Sequence, residues 1–185
     1  GESVDTFGAT QGAEEIVLTG DTLVVLKGDP VAQQAFSYRS VRQEHNFPNQ
    51  KTLVAVDTNK GQARWTVSLG SYPIPETMAS DGARVYLRLD EAIACWDLST
   101  GKELWRYECG KAKRNKAVAY GTKTLVVADG VVLTNLSKQL VALSAKEGEK
   151  LWDCELGTAF HAPVDVFVID GLVWHKLGHQ MDPMR

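Results

Sequence analysis

The stretch that decides the fold is DLSTGKELW, Asp97 to Trp105, because the chain says nearly the same thing three times. DTNKGQARW runs from Asp57 to Trp65 and SAKEGEKLW from Ser144 to Trp152. Gly61, Gly101 and Gly148 step by 40 and then 47 residues, and Trp65, Trp105 and Trp152 step identically. Gly70, Gly110 and Gly157 hold the same register. Such a fixed period signals stacked copies of one supersecondary unit. Upstream of each copy lies a short apolar run, LVAVD from Leu53, IACWD from Ile93 and LVALS from Leu140, so the unit reads as strand, turn, strand.

The motif has a structural chemistry. A tight reversal needs a residue that tolerates positive φ, which glycine does without steric cost, and an Asp or Ser oxygen accepts from the free N–H groups of the turn. Asp57, Asp97 and Ser144 are expected in that accepting role, Gly61, Gly101 and Gly148 as the positive-φ residues. A tryptophan four places on presents a large apolar ring to a neighbouring unit, so Trp65, Trp105 and Trp152 are expected as staples between units.

Two further strands are expected ahead of each hairpin. GDTLVVLKG from Gly20, DGARVYLRL from Asp81, GTKTLVVADG from Gly121 and DGLVWHKLG from Asp170 read as the second strand of each unit. EEIVL from Glu14, PETMA from Pro75, KAVAY from Lys116 and VDVFV from Val164 read as the first. Four strands at a period of about 40 to 47 residues make a β-propeller blade. The expected fold is all-β, a single propeller segment over 1–185. Blade 1 spans about 14–70 with an insertion at 28–50, blade 2 about 75–110, blade 3 about 116–157, and blade 4 opens at about 163–185.

An apolar strand followed by A-x-D-x-x-T-G-x-x-x-W, closest in ACWDLSTGKELW from Ala94 to Trp105, resembles the tryptophan-docking repeat of the PQQ-like (quinoprotein alcohol dehydrogenase-like) β-propellers. Lys60 and Glu147 replace the threonine before glycine, and Ser144 replaces the aspartate, so those two turns are expected to be weaker. The rival is a WD40 propeller, suggested by the Trp96–Asp97 dipeptide. Val56 and Leu143 stand where Trp96 does in the other copies, however, and no Gly-His pair opens a blade. The resemblance implies a ring of which this chain supplies a partial arc of about three and a half blades. Its open flanks are expected to meet other propeller blades of a longer protein or a second copy.

Composition narrows the partners. Of the 185 residues 44% are hydrophobic and 23% charged, the balance of a globular chain, and 20 Lys and Arg against 23 Asp and Glu give a net charge of -3. This provides no basis for a nucleic-acid partner. No apolar run approaches the length that spans a bilayer. The opening GESVDTFGATQGAEE lacks the basic start and apolar stretch of a signal peptide. Cys95, Cys109 and Cys154 have no C-x-x-C spacing and are expected as small apolar fillers in strands.

Candidate binding residues come from what the motif does not repeat. In an up-and-down blade the loop between strands two and three and the link to the next blade emerge on one face, and the glycine hairpins lie opposite. The insertion from Gly28 to Gln50 carries Tyr38, Arg39, Arg42 and His45, and the link KAKRNK carries Lys111, Lys113, Arg114 and Lys116. Both belong to the first face, where long polar loops on a rigid frame tend to bind. His161 and His175 near the end of the chain join the candidates. A metal role for the late histidines, His161, His175 and His179, finds little support beside the Gly178 break and the strand-like LVWH.

The resemblance covers both catalysts and non-catalytic modules, among the latter assembly lipoproteins of the bacterial outer membrane. Catalysts of the family hold PQQ with calcium near the ring axis, typically above a tryptophan and beside two adjacent linked cysteines. This sequence contains no adjacent cysteine pair and no C-x-x-C-H. The expectation is therefore a non-catalytic, extracytoplasmic binding module with no cofactor and no catalytic residue. The alternative is a fragment of a PQQ-dependent alcohol or sugar dehydrogenase. A third reading is a sensor or interaction domain of a larger protein.

Overall fold

A computed structural model describes residues 7–28, 51–71, 73–110, 124–136, 139–156 and 166–175. Among the described residues fourteen strands follow one 3-10 turn at Gly8–Thr10. The first sheet comprises β1 (Ala13–Thr19), β2 (Thr22–Lys27), β3 (Thr52–Asp57) and β4 (Gln62–Ser68). The second comprises β5 (Pro73–Ser80), β6 (Arg84–Leu89), β7 (Ala92–Asp97) and β8 (Glu103–Glu108). The third comprises β9 (Leu125–Ala128), β10 (Val131–Leu136), β11 (Gln139–Ser144) and β12 (Lys150–Glu155). β13 (Val166–Ile169) and β14 (Leu172–His175) form a two-stranded fourth.

Every pairing is antiparallel between consecutive strands, so each sheet is a meander. Successive sheets approach through their first strands, β1 to β5 to β9 to β13, which makes those strands the inner edges of stacked wedges. The fold is a partial β-propeller, and the described residues do not close a ring.

Burial follows from this stacking. The middle strands lie between sheets, and β3, β6, β7, β10 and β11 are buried along almost their whole length, which is why LVAV, VYL and IACW read as continuous apolar runs. The outer strands β4 and β8 alternate half-buried with exposed residues. No single core forms. Val24, Leu26, Leu53, Leu87 and Trp96 fill the first interface, Ile93, Cys95, Val132 and Leu143 the second, and Leu133, Leu140, Ala142 and Val166 the third. Trp96, only 1% exposed, is thus a core side chain, consistent with the rejection of a repeated W-D signature.

Two expectations need correction. GTKTLVVADG does not hold the second strand of the third sheet. Its apolar run is the first strand, β9, and VVLTNL forms the second, β10. The reversal sits at Asp129–Gly130, whose φ values of 48° and 76° form a two-residue hairpin of primed type. KAVAY from Lys116 lies outside the described residues. The cysteines also differ among themselves: Cys95 is buried, Cys109 half-buried and Cys154 exposed, and all three are free. Burial pushes the Cys95 thiol up to about 12, so it is an inert filler. Cys154 is not a filler, because it lies on the outermost strand.

Candidate functional site

The blades have two ends, and the repeated motif builds one of them. In each hairpin the glycine N–H donates to the carbonyl four residues back at 2.8 Å, Gly61 to Asp57, Gly101 to Asp97 and Gly148 to Ser144. Oδ1 of Asp57 accepts from the N–H groups of Asn59 (3.0 Å) and Lys60 (3.1 Å). Oδ1 of Asp97 accepts from Ser99 N (3.0 Å) and Thr100 N (2.8 Å), and also from both hydroxyls, at 2.6 and 2.8 Å. These bonds, the side-chain hydroxyls first, hold the Asp97 carboxyl below its ordinary range. Oγ of Ser144 accepts from Glu147 N at 3.1 Å and donates to the Glu147 carboxylate at 2.6 Å. Where Asp97 collects two hydroxyls, Oδ2 of Asp57 accepts from Arg64 Nε (3.3 Å) and Nη2 (2.9 Å), so each carboxylate accepts four bonds.

The glycines do more than turn. Trp65 lies flat on Gly101, where a Cβ would meet ring atom Cδ2 at 2.7 Å, and Trp105 covers Gly148, where the same contact would be 2.5 Å. Each indole also donates across the interface, Trp65 Nε1 to Leu98 O (2.8 Å) and Trp105 Nε1 to Ala145 O (3.0 Å). Tyr86 donates to Asp81 (2.7 Å) and also reaches Ala145 O (3.2 Å), with its ring 5.9 Å from that of Trp105. The tryptophan of one blade is therefore seated on the glycine of the next. Gly61, in the first blade, is met by Phe7 at 3.4 Å. Trp152 remains 41% exposed, with no further copy of the repeated hairpin between third and fourth strands following it among the described residues.

The other end carries the connections between the second and third strands and between blades. Tyr38, Arg39, Arg42, His45, Lys111, Lys113, Arg114, Lys116 and His161 lie outside the described residues. His175 is half-buried at the end of β14, opposite Val166, and its buried Nδ1 has no hydrogen-bond partner among the described residues.

Two polar constructions here were not anticipated. Glu15, on β1, reaches the neighbouring blade and accepts from Glu76 N (3.1 Å) and Met78 N (2.7 Å). Those amides converge because β5 breaks register between Pro73 and Met78, with Glu76 at φ 60°. Burial raises the Glu15 pKa, and the amide bonds only partly oppose it. Arg88, on β6, is 5% exposed and donates through Nη1 to Asn135 O, to Asn135 Oδ1 (3.3 Å) and to Thr134 Oγ1 (3.5 Å). An arginine within the otherwise apolar VYLRL of a middle strand was the signal available for it. Among the described residues no three His, Cys, Asp or Glu side chains gather as metal ligands.

Comparisons with known proteins agree with this geometry. No curated protein matches the chain. Among solved structures, BamB from Moraxella catarrhalis is 20% identical, with a TM-score of 0.55 over 84% of this chain and 43% of its own. A europium-containing methanol dehydrogenase is 16% identical, with a TM-score of 0.54 over 84% of this chain and 27% of its own. Quinohemoprotein alcohol dehydrogenase from Comamonas testosteroni is 18% identical, with a TM-score of 0.50 over 81% and 22%. The chain thus spans less than half the length of each. At these identities the likeness shows the fold, that of the PQQ-like repeat propellers. The family profile described as outer membrane protein assembly factor BamB matches residues 49–173, more than half of the sequence, and the chain belongs to that family.

Proposed function

We propose that the chain is a non-catalytic binding and scaffold module of an extracytoplasmic PQQ-like propeller, rigid at its hairpin end and engaging a protein or small-molecule ligand at its loop end. The observation that carries this is how completely the repeated polar residues are used within the frame. Oδ1 of Asp97 accepts from two amides and two hydroxyls, and the Trp65 and Trp105 indoles are committed to the next blade. A carboxylate so occupied is not available as a general base. The family membership supports an assembly role over a catalytic one.

On this reading the loop-end residues Tyr38, Arg39, Arg42, His45, Lys111, Lys113, Arg114, Lys116, His161 and His175 are the proposed contact surface. Phe167, Ile169, Leu172 and Trp174 form an apolar face 57 to 60% exposed, which further blades of a longer chain, or a second copy, would cover.

The second reading, a fragment of a PQQ-dependent dehydrogenase, is favoured by the fold shared with two dehydrogenases. Titration with PQQ and calcium, followed by quinone absorbance and dye-linked alcohol oxidation, separates the two. No stoichiometric uptake and no turnover are expected. Uptake with turnover would replace the module reading with the enzymatic one.

A further inference from the structure

Four arginines fall within the described residues, and three have carboxylate partners. Arg64 pairs with Asp21 and Asp57 (both 2.9 Å), Arg84 with Asp81 (3.2 Å) and Arg106 with Glu103 (2.7 Å). Those three keep about 27 to 32% of their side-chain surface in water. Arg88 is the most deeply buried of the four, at 5% exposure, and has no carboxylate partner among the described residues. The acceptors found for it surround Nη1, and all belong to the third sheet, while Nε is buried with no acceptor among the described residues.

This arrangement is physically costly. A guanidinium does not deprotonate in proteins, so burial must be met by a counter-charge or by a full set of acceptors. Burial here works against the charged form, and Cys109 and Asp90 oppose it only in part. Nη1 and Nε point to opposite sides of the guanidinium plane's long axis. With Nη1 directed at Asn135, the Nε side is the edge that receives a carboxylate side-on through two parallel N–H groups.

The location is at the loop end. Arg88 lies one residue from the end of β6, beside the Asp90–Glu91 turn, to which Cys109 N is bonded at 2.9 Å through Glu91 O. The link that follows Cys109, residues 111–123, reads KAKRNKAVAYGTK and contains five cations and no carboxylate. That stretch of sequence therefore contains no anionic side chain.

We propose that Arg88 anchors a small-molecule carboxylate at the loop end of the interface between the second and third sheets, held side-on at the Nε edge. This deepens the module reading above by naming the ligand class, and it rests on that reading. Asn135 and Thr134 act as positioning residues, fixing the guanidinium by its far side.

The test is performed on the whole chain labelled with 15N at arginine Nε. Sodium malonate is titrated in, with sodium acetate, inorganic phosphate and sodium chloride at matched ionic strength. Malonate is expected to shift the Arg88 Nε–H resonance downfield in a saturable way and to raise Tm in parallel. Arg88→Lys, which keeps the charge and loses the fork, is expected to weaken binding about tenfold or more, the scale of one charge-assisted bond lost. Arg88→Met should fold and show no malonate response.

A resonance that ignores malonate, as it would if ordered water alone completed the shell, overturns the proposal. So does an equal response to chloride, or a stronger one to phosphate. The wild-type resonance decides the matter even if a variant fails to fold. Quinone turnover in the earlier assay would remove the module reading and leave this signal in place, whereas a silent Arg88 removes only the ligand.

Discussion

The two ends of the arc share one repeat, yet they meet solvent differently. At the first blade, the seat on Gly61 that a preceding tryptophan would fill is occupied by Phe7, and the segment behind it is tied down by Lys27 Nζ to Ala9 O (2.8 Å) and Gly28 N to Gly12 O (3.1 Å). At the last, Trp152 is 41% exposed, and beyond it Phe167 and Trp174 lie opposite each other on an uncovered face. The interior seats hold tryptophan on glycine, the first holds a phenylalanine from the chain's own start, and the last tryptophan has no seat among the described residues. One docking unit therefore has three energetic values, set by what lies on the far side of it.

The largest effect expected from that difference is between two chemically identical substitutions. Trp105→Ala removes a ring packed on Gly148 and a bond to Ala145 O, and should cost about 3–5 kcal/mol. Trp152→Ala should cost under about 1 kcal/mol. Urea denaturation measures both, and equal losses would break the comparison.

The glycines sharpen it. Gly101→Ala adds a Cβ 2.7 Å from Trp65 at φ 71°, whereas Gly61→Ala at φ 66° meets only the edge of Phe7 at 3.4 Å. Left-handed strain of about 1–2 kcal/mol applies to both. Overpacking of about 1–3 kcal/mol is added at Gly101 alone, so Gly101→Ala should melt well below Gly61→Ala. Similar Tm values would mean that the interior ring yields as freely as the terminal one.

The smallest effect is electrostatic. The folded pKa of Asp97 lies below 3.8, its ordinary value, so its contribution is complete above that pH and is lost as the pH falls through the depressed folded value. Tm followed from pH 7 to pH 2 should fall more steeply in its acid limb for the wild type than for Asp97→Asn. Ser144→Ala keeps Asp97 and loses only the hydroxyl that helps hold the exposed Glu147 carboxyl below its ordinary range, so it should retain an acid limb close to that of the wild type. Parallel acid limbs for Asp97→Asn and the wild type would deny the carboxylate this role.

The hairpins were readable in sequence because their chemistry is local. An oxygen at Asp57, Asp97 or Ser144, a positive-φ glycine four residues on and the intervening amides are all held within one turn. The first strand of the third sheet was misplaced because Gly121 and Gly130 are equivalent as punctuation in a sequence, and only strand pairing shows which one reverses the chain. Arg88 was hidden for a related reason: an arginine in VYLRL is compatible with an edge strand facing water until a second sheet is stacked against it.

The sequence by itself determined the repeat, its period, the turn residues and the all-β propeller class, since each depends on backbone preferences acting over fewer than about ten residues. The tertiary structure alone decided which tryptophans are seated and on which glycine. It also decided that Phe7 stands in at the first seat, that the Glu15 carboxylate closes a break in β5, and that Arg88 is buried without a carboxylate partner among the described residues. Those outcomes depend on which sheet lies against which, and burial and pairing arise only between segments that are distant along the chain.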